Sequence, residues 1–122
     1  MGRLDIHPMD PIAVGSATEG VDGFNEMDNP SSVRVFTVGD DKTYAIVTGR
    51  TSNSVQLIDV TDPANPIALS TAVDGVNGFT ELGGAWAVDT FTAGDGKTYA
   101  IVPSYDDNGV QLMTFEPSLF AV

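Results

Sequence analysis

KTYAIV at residues 42–47 returns letter for letter at 97–102, and the offset of 55 residues holds well beyond those six. VQLIDV at 55–60 returns as VQLMTF at 110–115, and VDGFNEM at 21–27 returns as VNGFTEL at 76–82. Laid over each other without a gap, 21–60 and 76–115 agree at 19 of 40 positions. The chain is a tandem duplication, with repeat 1 at about 12–66 and repeat 2 at about 67–122. Even the lead-in takes part: IAVGSA at 12–17 answers to IALSTA at 67–72.

Each repeat reads as short strands separated by turns. VRVFTV at 33–38 alternates and is β-branched, and GDD at 39–41, or GDG at 94–96, breaks it before the next run. An Asp-Gly pair between two β-branched runs is a strong hairpin signal. Asn53 and Ser54, or Asn108 and Gly109, turn the chain again. TDPANP at 61–66 ends the following strand, because proline cannot donate to a ladder. The strands expected are 12–17, 33–38, 43–48, 55–60, 67–73, 85–92, 98–103 and 110–115. No segment carries a helical period. Runs such as YAIV and VQLI are apolar on both sides, which predicts sheets buried on both faces. The fold class is all-β, and the repeat reads as a four-stranded antiparallel β-propeller blade.

VQLIDVTDPANPIALSTAV at 55–73 resembles the repeat of the LVIVD family of β-propeller proteins. That repeat has an apolar strand, a D-x-[ST]-[DN]-P-x-x-P-like turn and a further strand. The turn is complete at Asp59, Thr61, Asp62, Pro63 and Pro66. The first copy keeps only Asp5, Pro8, Asp10 and Pro11, and the second ends in Glu116 and Pro117. The resemblance implies a propeller with extracellular or cell-surface binding roles, and it carries no catalytic motif to transfer.

Two blades cannot close a ring, and alone they leave apolar faces and strand edges bare. The chain opens with the fourth strand of a blade and stops where the next fourth strand would begin. The expectation is therefore a head-to-tail ring in which 12–17 of one chain pairs with 110–115 of the next. Propellers have about four to eight blades, which allows a homodimer, homotrimer or homotetramer, with the trimer expected first. The near-identical copies also suit a fragment or an engineered repeat protein.

Composition narrows the partners. Apolar residues make up 42% of the chain, enough for a packed core. Seventeen acids against five Lys and Arg leave a net charge of −12, which repels phosphate backbones and argues against nucleic acid. The chain has no cysteine, which removes disulfides, thiol nucleophiles and cysteine metal sites. No run of about 18 apolar residues exists, so no membrane insertion is expected. The first five residues are followed by no apolar stretch of the signal-peptide kind.

Candidate chemistry is sparse, and neither an enzyme nor a cofactor is expected. Glu26 and Glu81 recur just before the first strand of each unit, as a carboxylate ring for a cation or polar ligand, or as loop caps accepting backbone N–H bonds. Capping is the expected role; catalysis would require a fixed carboxyl separation. Asp40, Asp41, Asp95, Asp106 and Asp107 sit beside glycine or asparagine as turn residues do, and no full calcium loop is present. Trp86 stands where repeat 1 has Ser31, and Tyr105 where it has Arg50. Where copies diverge between similar strands, ligand binding is one explanation. A carbohydrate-binding lectin, with Trp86 and Tyr105 stacking on a sugar and Glu81 or Asp106 bonding hydroxyls, is the alternative to a plain scaffold; core packing is the bland account of Trp86. His7 has no companion for a triad or zinc site. The VGDDKT and AGDGKT turns lack the spacing of a phosphate loop.

Overall fold

The structure is a computed structural model, and it describes residues 9–115. Seven strands form two antiparallel sheets, with no helix among the described residues. Sheet 1 contains β1 (Pro30–Phe36), β2 (Tyr44–Gly49), β3 (Ser54–Asp59) and β4 (Ile67–Val73), hydrogen-bonded in that order. Sheet 2 contains β5 (Asp89–Thr92), β6 (Thr98–Ser104) and β7 (Gly109–Thr114), so β7 is an edge.

The turns are made by the residues that turn chemistry requires. Asn53 and Asn108 both hold positive φ, 55° and 53°, between their strands. In the β1–β2 and β5–β6 hairpins an aspartate closes the loop. Asp40 accepts the Lys42 N–H at 3.1 Å and the Tyr44 hydroxyl at 2.5 Å. Asp95 does the same with Lys97 N–H at 2.9 Å and Tyr99 at 2.5 Å. The Tyr44 bond lowers the Asp40 pKa and pushes the phenol up to about 12. In the turn after β3, Asp62 accepts the Ala64 N–H and the Asn65 amide, so these acids hold loops.

One expected strand is much shorter than the sequence implies. Residues 85–92 form a ladder only over β5, with an isolated bridge from Ala85 to Ser104. In sheet 1 the matching rung pairs Ser32 with Thr48, and the repeat puts Pro103 in the place of Thr48. Proline has no N–H to donate, so the ladder stops below it. Its carbonyl still accepts the Trp86 N–H at 3.0 Å. Residues 12–17 form no ladder within the chain, and Ile12 and Val14 are 76% and 62% exposed. The remaining strands match the reading to within a few residues.

The two sheets share one core, and its composition explains the doubly apolar strands. Phe36, Ile46, Val55 and Ala72 from sheet 1 meet Leu82, Ala100, Val102 and Met113 from the sheet 2 side. A second cluster, Phe24, Met27, Ala45 and Ile58 with Val47 and Val60 beside it, covers the other face of sheet 1. Moved forward by 55, that second cluster becomes Phe79, Leu82, Ala100, Met113, Val102 and Phe115, all in or against the first. Even the covering loops match. Glu19 accepts the Met27 N–H at 2.6 Å, and its counterpart Asp74 accepts the Leu82 N–H at 3.0 Å.

Near the β1–β5 seam the sheets are joined by polar contacts. Arg34 pairs with Asp89 at 2.6 Å, the Ser31 hydroxyl donates to the Ala85 carbonyl at 3.2 Å, and the Gly84 N–H donates to Asn53 Oδ1 at 2.8 Å.

Candidate functional site

An open groove of about 810 Å³ lies at the end of the sheets where the β2–β3 and β6–β7 turns lie. Trp86, Tyr105 and Arg50 line it together, with Pro103 and Val110 of the sheet 2 strands as apolar wall. The Arg50 guanidinium carbon lies 4.8 Å from the Trp86 ring centroid, a cation–π contact. Trp86 nonetheless remains 52% exposed and Tyr105 71% exposed. The structure therefore brings together the two aromatic residues that stood out as differences between the copies.

Arg50 was legible only as the residue opposite Tyr105 in the alignment of the repeats. Its place over Trp86 joins the β2–β3 turn to the loop before β5, a tertiary contact with no local signature.

The two glutamates are placed differently. The Glu81 carboxylate lies against Gly109, where a Cβ would come within 2.2 Å of Oε1. Gly109 lines the groove, so Glu81 stands at its margin. Glu26 does not line it. The backbone carbonyls of both residues accept serine hydroxyls, Ser54 to Glu26 at 3.3 Å and Ser104 to Glu81 at 2.6 Å. These serines occupy opposite members of one cross-strand pair, Gly49 with Ser54 and Ser104 with Gly109. The hydroxyl has changed strands between copies while its acceptor stayed. Each pair keeps one glycine for close approach: a Cβ on Gly49 would fall 2.6 Å from the Glu26 carbonyl oxygen.

The loop-capping acids are Glu19 and Asp74 rather than Glu26 and Glu81. They were missed because they lie eight residues from the amides they cap. Asp107 also caps, accepting the Gly83 N–H at 2.7 Å. His7 lies outside the described residues. Among the described residues no group of three or more His, Asp or Glu is placed to hold a metal ion.

No family model, curated protein or solved structure matches this chain.

Proposed function

We infer that the chain is a pair of β-propeller blades of the kind the LVIVD-like turn suggests. It acts as a non-enzymatic binding or scaffold module and closes into a homo-oligomeric ring with copies of itself. One observation carries this reading: the bare face of sheet 2 is the 55-residue counterpart of the buried face of sheet 1. Phe36, Ile46 and Val55 pack into the shared core, while Phe91, Val110 and Leu112 at the matching face of sheet 2 are 44%, 51% and 53% exposed. A contiguous apolar face of this kind marks an interaction surface. The outer face of sheet 1 offers the counterpart of what sheet 2 already presents to sheet 1.

Charge agrees with the same junction. Arg34 and Asp89 are counterparts of each other, so the bond they make within the chain would recur between chains as Asp89 with Arg34 of the next copy. Arginine and aspartate then alternate around the axis. The exposed segment 12–17 would supply the strand that β7 lacks, as β4 does for β3.

Ring size follows from the usual blade range, with the trimer favoured over the tetramer and dimer. Light scattering behind size exclusion tests the reading: a discrete species of two, three or four times 12.8 kDa supports it, and a stable folded monomer refutes it. The family resemblance favours an extracellular or cell-surface setting, and the net charge disfavours nucleic acid as partner. A second reading, a carbohydrate-binding lectin, draws on the gathering of Trp86, Tyr105 and Arg50 in one groove.

A further inference from the structure

The groove has a counterpart inside the chain, and that counterpart is filled. Shifting its wall back by 55 residues turns Pro103, Gly109 and Val110 into Thr48, Ser54 and Val55. Thr48 and Ser54 are completely buried and Val55 is 3% exposed. The segment that seats near them is 82–85, whose Leu82 and Ala85 are fully buried in the shared core. Two hydrogen bonds tie it to repeat 1: Gly84 N–H to Asn53 Oδ1 at 2.8 Å, and the Ser31 hydroxyl to the Ala85 carbonyl at 3.2 Å.

The counterpart of 82–85 is 27–30, with Met27 for Leu82, Asn29 for Gly84 and Pro30 for Ala85. Both halves of the junction already have the required shape. Asn29 has φ 57° where Gly84 has 70°, and Asn108 has φ 53° where Asn53 has 55°. The Asn29 N–H and the Asn108 side chain form no hydrogen bond among the described residues.

We propose that the groove is the socket for residues 27–30 of a second copy of this chain. Asn108 Oδ1 accepts the Asn29 N–H of that copy, as Asn53 accepts Gly84 within the chain. Trp86 lies against its Pro30, where Ser31 meets Ala85 within the chain. Replacing a hydroxyl by an indole exchanges a hydrogen bond for apolar contact, and Pro30 is an apolar partner suited to it. The inference rests on the ring reading and adds which surfaces meet. It assigns Trp86 to the junction rather than to a sugar.

Trp86 is the only tryptophan, so its fluorescence reports on the socket directly. The experiment measures solution mass, Trp86 emission and acrylamide quenching on the full chain across a dilution series, then adds neutral methyl glycosides of glucose, galactose, mannose and fucose. In the oligomer, blue-shifted emission with quenching several-fold below that of free indole is expected, reverting to exposed emission as dilution lowers the mass. The double variant N29C/N108C is expected to form an intermolecular disulfide in the oligomer, and each single variant none. An oligomer whose Trp86 quenches like free indole, or which forms no N29C/N108C cross-link, overturns the socket and leaves the ring standing. A saturable glycoside response in the oligomer overturns the socket in favour of a sugar site. A folded monomer at all concentrations overturns socket and ring together.

Discussion

Val55 and Val110 are the same residue at the same place in the two repeats, 3% and 51% exposed, so one substitution at both sites separates folding from assembly. In Val55→Asp the whole transfer free energy of the side chain is lost, about 1.5 kcal/mol. The carboxyl that replaces it has no donor in an apolar core, which costs roughly another 1–3 kcal/mol. A loss of about 4 kcal/mol is most of the stability of a small domain, about 5 kcal/mol at the low end. Val55→Asp should therefore keep only about 1 kcal/mol and melt far below the wild type when unfolding is followed by circular dichroism. Val110→Asp in a single chain forfeits only about half of the transfer term, roughly 0.8 kcal/mol, because half the side chain already meets water. Its cost appears in assembly. If Val110 becomes as buried at the junction as Val55 is within the chain, the remaining cost of about 3 kcal/mol falls there, weakening association by roughly two hundredfold. The assay is light scattering together with circular dichroism on wild type and both variants at one concentration. The expected result for Val110→Asp is a folded species at the mass of one chain. The reasoning is refuted if Val110→Asp keeps the wild-type mass, or if its melting temperature falls as far as that of Val55→Asp.

Gly49→Ala should lower stability by about 1–3 kcal/mol in thermal or urea unfolding, because the new Cβ meets the Glu26 backbone carbonyl. Gly109→Ala meets only the movable end of Glu81, so it should cost less than about 1 kcal/mol, and equal effects would contradict the geometry. Arg34→Asp should lower stability by less than about 1 kcal/mol, since both partners of its ion pair are exposed, and the swap R34D/D89R should restore it. Alkaline titration followed by tyrosine absorbance should show a component near pH 12 that is missing in Tyr44→Phe; a midpoint near 10 for Tyr44 would remove the Asp40 bond. The pH dependence of stability has a fixed sign on each side. The lowered Asp40 pKa adds stability that is present above the ordinary value of 3.8 and lost as pH falls through the folded value. The raised Tyr44 pKa adds stability that is present below 10.0 and lost as pH rises through about 12. Urea midpoints should form a plateau between those limits.

The sequence by itself determined the duplication, the all-β class, the order of strands and the place of the turns that join paired strands. These features are local: a β-branched run, a proline or an Asn at positive φ acts on its own neighbours in the chain. It also showed that the strands are apolar on both sides, and hence that both sheet faces want cover. The tertiary structure decided which faces receive it. Sheet 1 is covered twice, by sheet 2 and by the loop that carries Phe24 and Met27, whereas the outer face of sheet 2 stays open. Only packing could show that Pro103 shortens β5, because the missing N–H matters only against the strand opposite. Only packing could bring Arg50 over Trp86, 36 positions away in the chain. The repeat made Trp86 and Tyr105 visible as differences, but the filled counterpart of their groove lies between two sheets, and contacts between sheets leave no pattern along one strand.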